Sequence, residues 1–173
     1  MTSKHLVPFA LVAGVAGLAA APATQAASRK YSPADKAFVQ TSISGDRFEI
    51  EGGETAAHLT GRPAVSDLAD TLVRDHSRSL HDSVRLAHAL GITVPRHPTP
   101  PMRWELRAAA RAGADFDRAW TVLEIADHKQ DIAEAVQERR AGTNPSVRKM
   151  AAQELPVLRK HLGMARAARR AIG

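Results

Sequence analysis

Leu68-Ala69-Asp70-Thr71-Leu72-Val73-Arg74-Asp75-His76-Ser77-Arg78-Ser79-Leu80 decides the fold. Leu68, Leu72, His76 and Leu80 recur every fourth residue, and at 3.6 residues per turn they share one helical face. That face is apolar, so the imidazole of His76 points toward the core, with Asp75 beside it. An unpaired polar group in a core costs roughly 1–3 kcal/mol, so other segments must bring polar partners to His76. Extended outward, the face reads Val65, Leu68, Leu72, His76, Leu80, Val84 and Ala87. This predicts a helix from Arg62-Pro63 to about Leu90, stopped by Gly91.

Three more long helices flank it. Ser32-Pro33-Ala34-Asp35 supplies a cap, a proline suited to the first helical position and an acid for the first turn, and the helix runs to about Thr60. Its inner face carries Phe38, Ser42, Gly45, Glu49, Gly52, Ala56 and Leu59. The small residues around Glu49 let another helix or a ligand approach that carboxylate. Ile92 to Pro101 holds four prolines and cannot continue a helix. A short amphipathic piece, Met102 to Ala112, is expected to be anchored by Trp104 and Leu106. The third long helix spans about Asp115 to Ala141, with Phe116, Trp120 and Leu123 on one stripe and Ile125, His128, Ile132 and Val136 on the next. The fourth follows Asn144-Pro145 and runs to about Arg170, with Pro156 expected to bend or divide it. Its stripes are Leu155, Leu158, Leu162, Ala165 and Val157, His161, Met164, Ala168. No stretch alternates with period two. The expected fold is therefore all-α: an antiparallel four-helix bundle with a short extra helix between the second and third long helices.

Glu49, His76, His128 and His161 each sit near the middle of a different helix. Glu49 and His76 are set back similarly from the Gly61 turn, as are His128 and His161 from the Gly142 turn. The mismatches amount to roughly 5–8 Å at 1.5 Å per residue. Mid-helix groups meet at a bundle centre whatever the connection between the halves. Asp75 adjoins His76. Glu124 and Asp131 lie one turn either side of His128, where either could hydrogen-bond its ring. Imidazole and carboxylate donors together suit zinc, iron, copper or nickel. The candidate metal site is thus Glu49, His76, His128 and His161, with Asp75 and Glu124 as direct or supporting groups. A mutually satisfied hydrogen-bond network that fixes helix register would place the same residues together. His81 and His88 share a charged face and read as surface residues.

Residues 1–26 read as an export signal: Lys4 and His5, an apolar run from Leu6 to Ala20, then small residues offering cleavage after Ala23 or Ala26. The run is shorter than the ~20 residues of a spanning helix. Removal leaves a short tail, 27–31, and one bundle domain, 32–173. An exported protein, periplasmic or secreted, is expected. With no cysteine there is no disulfide, lipid-anchor site or catalytic thiol. The formal charge of +6 is concentrated in Arg159, Lys160, Arg166, Arg169 and Arg170. Such a patch could make weak contact with an anionic envelope surface, but more often it is a solvated helix end. Aromatics do not interleave with the basic residues, so nucleic-acid binding has no support.

Further runs match a known pattern: Phe48-Glu49-Ile50-x-x-Gly53-x-x-Ala56, Leu72-Val73-Arg74-Asp75-His76, Leu86-Ala87-x-x-Leu90-Gly91-Ile92-x-Val94-Pro95, Gly113-x-x-Phe116-Asp117, His128, and Leu155-Pro156-x-Leu158-x-x-His161-Leu162. In order and spacing they resemble an exported bacterial domain family of unknown function, number forty-one forty-two, labelled "predicted outer membrane protein" and placed among ferritin-like bundles. The match spans about Ser32 to Arg170. The chain departs from the pattern at Trp120, where a tyrosine is typical, and at Glu54, where a basic or small residue is common. The resemblance implies a ferritin-like up-and-down bundle and export, and no activity.

Three functions remain open on the sequence. The first is an exported bundle binding one transition-metal ion (zinc, iron or copper). The second is a non-metal envelope-interaction or stress-protection module, and the last is a metal-dependent enzyme. Catalysis has the weakest support. Carboxylate-bridged di-iron bundles need Glu-x-x-His twice, but Val73 and Ile125 stand where those glutamates would be. No nucleophile elbow or phosphate loop is present either.

Overall fold

A computed structural model describes residues 30–173. The export pattern of residues 1–26 and the start of the 27–31 tail lie outside the described residues. Five helices follow in order: α1 (Pro33–Leu59), α2 (Pro63–Leu90), α3 (Pro100–Ala110), α4 (Phe116–Ala141) and α5 (Pro145–Ala171). A single 3-10 turn, Gly113–Asp115, leads into α4. The expected helical bundle is the fold found, and among the described residues there is no strand.

The boundaries follow from local chemistry. Ser32 and Asp35 form a reciprocal capping box, Asp35 N–H donating to Ser32 Oγ at 3.0 Å and Ser32 N–H to Asp35 Oδ2 at 2.6 Å. The Asp35 carboxylate also accepts from the Thr143 N–H at 2.9 Å and from the Thr143 hydroxyl. Burial alone raises the Asp35 pKa, but the hydrogen bonds from Thr143 and Ser32 outweigh it and hold the carboxyl well below its usual range. Gly91 ends α2 at φ 72°, a left-handed conformation that favours glycine.

The Asp35 contact also fixes topology, because it places the start of α1 beside the α4–α5 turn. α1 packs most extensively on α2, and α4 on α5, while α2 meets α5 and α1 meets α4. Every neighbouring pair is then antiparallel, and the α2–α4 connection must climb the length of the bundle. It does so along α1: Gln40 donates to the Thr93 carbonyl at 2.8 Å and Arg47 to the Pro95 carbonyl at 3.1 Å.

Two apolar clusters fill the interior. Phe38, Val39, Ile43, Ala87, Val147, Ala151 and Leu155 belong to one. Val65, Leu68, Leu72, Phe116, Trp120 and Ala165 belong to the other. Between them the mid-helix polar residues form a layer.

Two local expectations are corrected, and of the two outcomes open for Pro156 the division of the helix is excluded. Trp104 is 66% exposed and anchors nothing; Leu106 and Ala109 are the buried residues of α3. Leu59, at the end of its stripe, is 52% exposed. α5 runs through Pro156 without a break. Pro156 lies on the exposed side, as does Ala152, whose carbonyl loses its helical donor there.

The paired glycines of α1 are not equivalent. A Cβ on Gly53 would lie 2.7 Å from Val73 Cγ2 and 2.9 Å from the Ala69 carbonyl, so α2 approaches α1 only because that position is bare. A Cβ on Gly52 would meet nothing closer than Trp120 Nε1 at 3.5 Å, an ordinary contact. Gly53→Ala is expected to cost about 1–3 kcal/mol through overpacking. Gly52→Ala is expected to be neutral or to stabilise by up to about 1 kcal/mol through helix propensity. Urea melts of the two variants check the contrast, and equal effects would contradict the close approach at Gly53.

Candidate metal centre

Helical spacing turns His76 of α2, His128 of α4 and His161 of α5 into the polar layer, where all three are buried. Ring centroids stand 5.9 Å apart for His76–His128, 5.1 Å for His76–His161 and 5.4 Å for His128–His161. One ring nitrogen from each lies within 4.8 Å of its counterpart on the other two.

Each ring is held by one nitrogen and free at the other. His76 Nδ1 lies 2.9 Å from Asp46 Oδ1. His128 Nδ1 lies 2.9 Å from the Glu124 main-chain carbonyl, which can only accept, so Nδ1 carries the proton. His161 Nε2 lies 3.1 Å from Asp75 Oδ2, and with that carboxylate ionised Nε2 is the donor. The other nitrogens, His76 Nε2, His128 Nε2 and His161 Nδ1, are buried and have no hydrogen-bond partner. An orphaned buried nitrogen costs free energy, and three in one polar layer are difficult to explain as a satisfied network.

Electrostatics keep His128 and His161 neutral. Burial, followed by the charges of His76 and His161, brings the His128 pKa down to about 3. Burial and His76 bring His161 down to about 4, against the opposing pull of Asp75. Neutral imidazoles are the form that binds metals. Burial tends to raise Asp75, but hydrogen bonds from His161, Lys160 and Arg74 override it and keep that carboxylate low.

The carboxylates divide differently from the expectation. Glu49 does not join the three rings. It groups with Asp127 and His128 instead, its Oε1 3.7 Å from His128 Nδ1. Glu124 supports His128 through its backbone carbonyl, while its side-chain Oε2 stands 3.7 Å from Nδ1. The Glu49 and Glu124 carboxylates are fully buried, with all four oxygens unpartnered. Burial, then repulsion from Glu124 and Asp127, pushes Glu49 well above the usual carboxylate range. Burial pushes Glu124 up to about 8. Protonated acids of this kind are poor ligands beside three free imidazoles. Asp75 serves His161 across the bundle rather than its neighbour His76. Asp131 does not bond the His128 ring. Its Oδ2 comes within 4.0 Å of a Cβ built on Gly45.

Sequence reasoning missed Asp46 and Asp127. Asp46 precedes Glu49 by three residues on the same face, beside Gly45, and that spacing was the available signal. Asp127 sits off the inner stripe of α4, and nothing in its spacing marks it. His81 and His88 are exposed, as expected.

No helix among the described residues is long and apolar enough to cross a membrane. Three solved structures share the fold. A DUF305 fragment from Deinococcus radiodurans is 15% identical, with a TM-score of 0.70, covering 81% of this chain and 98% of that one. CopM in its Cu(I)-bound form is 17% identical at a TM-score of 0.65, covering 77% and 93%. CopM in its Cu(II)-bound form is 19% identical at 0.67, covering 80% and 97%. At these identities the likeness concerns the fold. No curated protein matches the sequence. The expected family is nonetheless the one found: the chain belongs to the domain of unknown function DUF4142, whose family model matches residues 20–168.

Proposed function

We propose that this protein binds one transition-metal ion, copper first among the candidates, through His76 Nε2, His128 Nε2 and His161 Nδ1. The observation that carries the proposal is the reciprocal use of the three rings. Each has one nitrogen held by an oxygen acceptor and the other unpartnered in the common interior. Metal-binding histidines are commonly oriented in this way, by an acceptor that fixes the tautomer and raises ligand basicity. Three imidazoles suit copper, zinc, iron or nickel, and divalent copper heads the affinity order. CopM, a protein of the same fold, is described in Cu(I)- and Cu(II)-bound forms, which supports copper over zinc. Asp46, Asp75 and the Glu124 carbonyl orient the rings, and Glu49 lies outside the ligand set. The ion is held rather than turned over. The export pattern of residues 1–26 supports placing this binding outside the cytoplasm.

Tag-free protein offered Cu(II) is expected to show one tightly held equivalent by native mass spectrometry. At a free ion concentration a thousandfold above Kd, the stabilisation is about 4 kcal/mol. For a domain of this size that raises the thermal midpoint by roughly 8–16 °C. Protein that stays apo after copper, zinc and iron have each been offered would overturn the proposal.

A further inference from the structure

Three stretches of the chain meet at the pole of the bundle where α1 begins. The Thr143 N–H, bonded to the Asp35 carboxylate at 2.9 Å, brings the α4–α5 turn there, and Asn144 Nδ2 donates to the Lys30 carbonyl at 2.6 Å. A shallow hollow lined by Lys30, Tyr31, Pro33, Lys36 and Leu90 brings the end of α2 to the same place. The pole thus gathers Lys30 and Lys36 with Arg139, Arg140, Arg148 and Lys149, residues far apart in the chain. All six are exposed.

No exposed acid accompanies them. Asp35 is buried and turned inward onto Thr143 and its own helix start. Glu138 is buried too, and burial, with Asp35 behind it, lifts its pKa to about 7. Among the described residues the ion pairs made by lysine or arginine are those of Arg74 and Lys160 with Asp75, away from this pole. Arg148 donates from Nε to the Arg139 carbonyl at 3.3 Å, an acceptor that leaves its charge unopposed. The opposite pole differs. There Arg166, Arg169 and Arg170 share the surface with exposed Asp67, Asp70 and Asp115.

A face of one sign attracts a surface of the other over about 8 Å at physiological salt. Next to an anionic bilayer, each lysine or arginine strengthens binding by about fivefold. Two observations favour a lipid surface over a nucleic acid. Tyr31 is the one aromatic residue lining the hollow and is half-buried, so it offers no platform on which bases could stack. Upstream of Lys30 the sequence carries the apolar run Leu6 to Ala20. A run of that kind engages a bilayer during export, and the chain that follows it enters the domain at this pole. The second observation rests on the export reading.

We propose that this acid-free pole is a docking surface for anionic phospholipid headgroups, which holds the bundle reversibly against a membrane. The surface is independent of the metal centre. It also lies at the other end of the bundle from the basic stretch that closes α5.

The test is cosedimentation of the exported chain, its N-terminus defined by mass spectrometry, with vesicles of phosphatidylcholine mixed with phosphatidylglycerol and with vesicles of phosphatidylcholine alone, at low and at physiological salt. The probe variants are Arg139→Gln/Arg140→Gln/Arg148→Gln/Lys149→Gln and, separately, Lys30→Gln/Lys36→Gln. Arg166→Gln/Arg169→Gln/Arg170→Gln at the opposite pole is the control, and circular dichroism checks that each variant folds. The parent chain is expected to bind the mixed vesicles, more tightly at low salt, and to leave phosphatidylcholine vesicles unbound. Binding should weaken about a hundredfold or more in the first variant, about tenfold or more in the second and less than about fivefold in the control. Equal losses at the two poles would overturn the proposal, because net charge alone would then suffice. Binding to phosphatidylcholine alone, or undiminished binding in both probe variants, would overturn it as well. A short DNA duplex held at least as tightly as the mixed vesicles at the same salt would overturn the lipid assignment in favour of a nucleic-acid surface.

Discussion

His128→Leu is expected to abolish the copper-dependent rise in thermal midpoint, a loss of roughly 8–16 °C, while leaving the metal-free protein about as stable as before. Two effects separate here. In the presence of metal, one of three ligand nitrogens is gone. Loss of a mere supporting partner typically weakens affinity about 10–100-fold, so loss of a ligand is expected to exceed that. Without metal, the substitution removes a fully buried imidazole whose Nε2 has no partner and puts an apolar side chain of similar size beside the Trp120 cluster. Exchanging buried polar groups for apolar ones is often neutral or stabilising. A register-fixing network predicts the same metal-free behaviour but no metal-dependent rise to lose. The paired thermal melts, with and without Cu(II), therefore distinguish the two, and His81→Leu on the exposed face serves as the control that changes neither.

Glu154→Gln is expected to stabilise the metal-free protein at alkaline pH by several kcal/mol and to leave it unchanged in acid. Burial, with the Asp46 charge behind it, lifts the Glu154 pKa from 4.5 to about 8. Between those values the unfolded chain has released a proton that the folded chain still holds. Folding stability therefore falls as pH rises, at about 1.4 kcal/mol per pH unit, and levels off above the folded pKa. Glutamine keeps the shape and removes the titration. The stability difference between variant and parent should then be near zero below pH 4.5, grow through neutrality and flatten above pH 8. Urea melts at pH 4, 6 and 9 measure it. A constant difference across that range would show that the carboxylate is solvated rather than buried.

The fold was legible because its punctuation is strong. Ser32-Pro33, Arg62-Pro63, Gly91 and Asn144-Pro145 mark helix ends that the structure reproduces within a residue or two. Four-residue recurrence of Leu68, Leu72 and Leu80 identifies a core face whatever lies opposite. The three histidines were legible for the same reason, being polar exceptions on apolar stripes. Glu49 shares that pattern, yet it falls into a different group, because stripe position gives the level of a side chain along the bundle but not which neighbours its terminal atoms reach. Asp46 carried only a weak signal, since an acid one turn from a glutamate is ordinary on any solvated helix, and Asp127, off the inner stripe, carried none. Only the close packing of α1 against α2, which Gly53 permits, turns Asp46 inward onto His76. Trp104 misled in the opposite sense. Its size suggested an anchor, but on so short a helix Leu106 and Ala109 already fill the inner face.

The most direct measurement is an anomalous difference map at the copper edge from crystals grown with one equivalent of Cu(II). A single dominant peak about 2.0–2.1 Å, the usual imidazole–metal distance, from His76 Nε2, His128 Nε2 and His161 Nδ1 is the expected result. Peaks only at exposed histidines such as His81 and His88, or an interior without any, would contradict it.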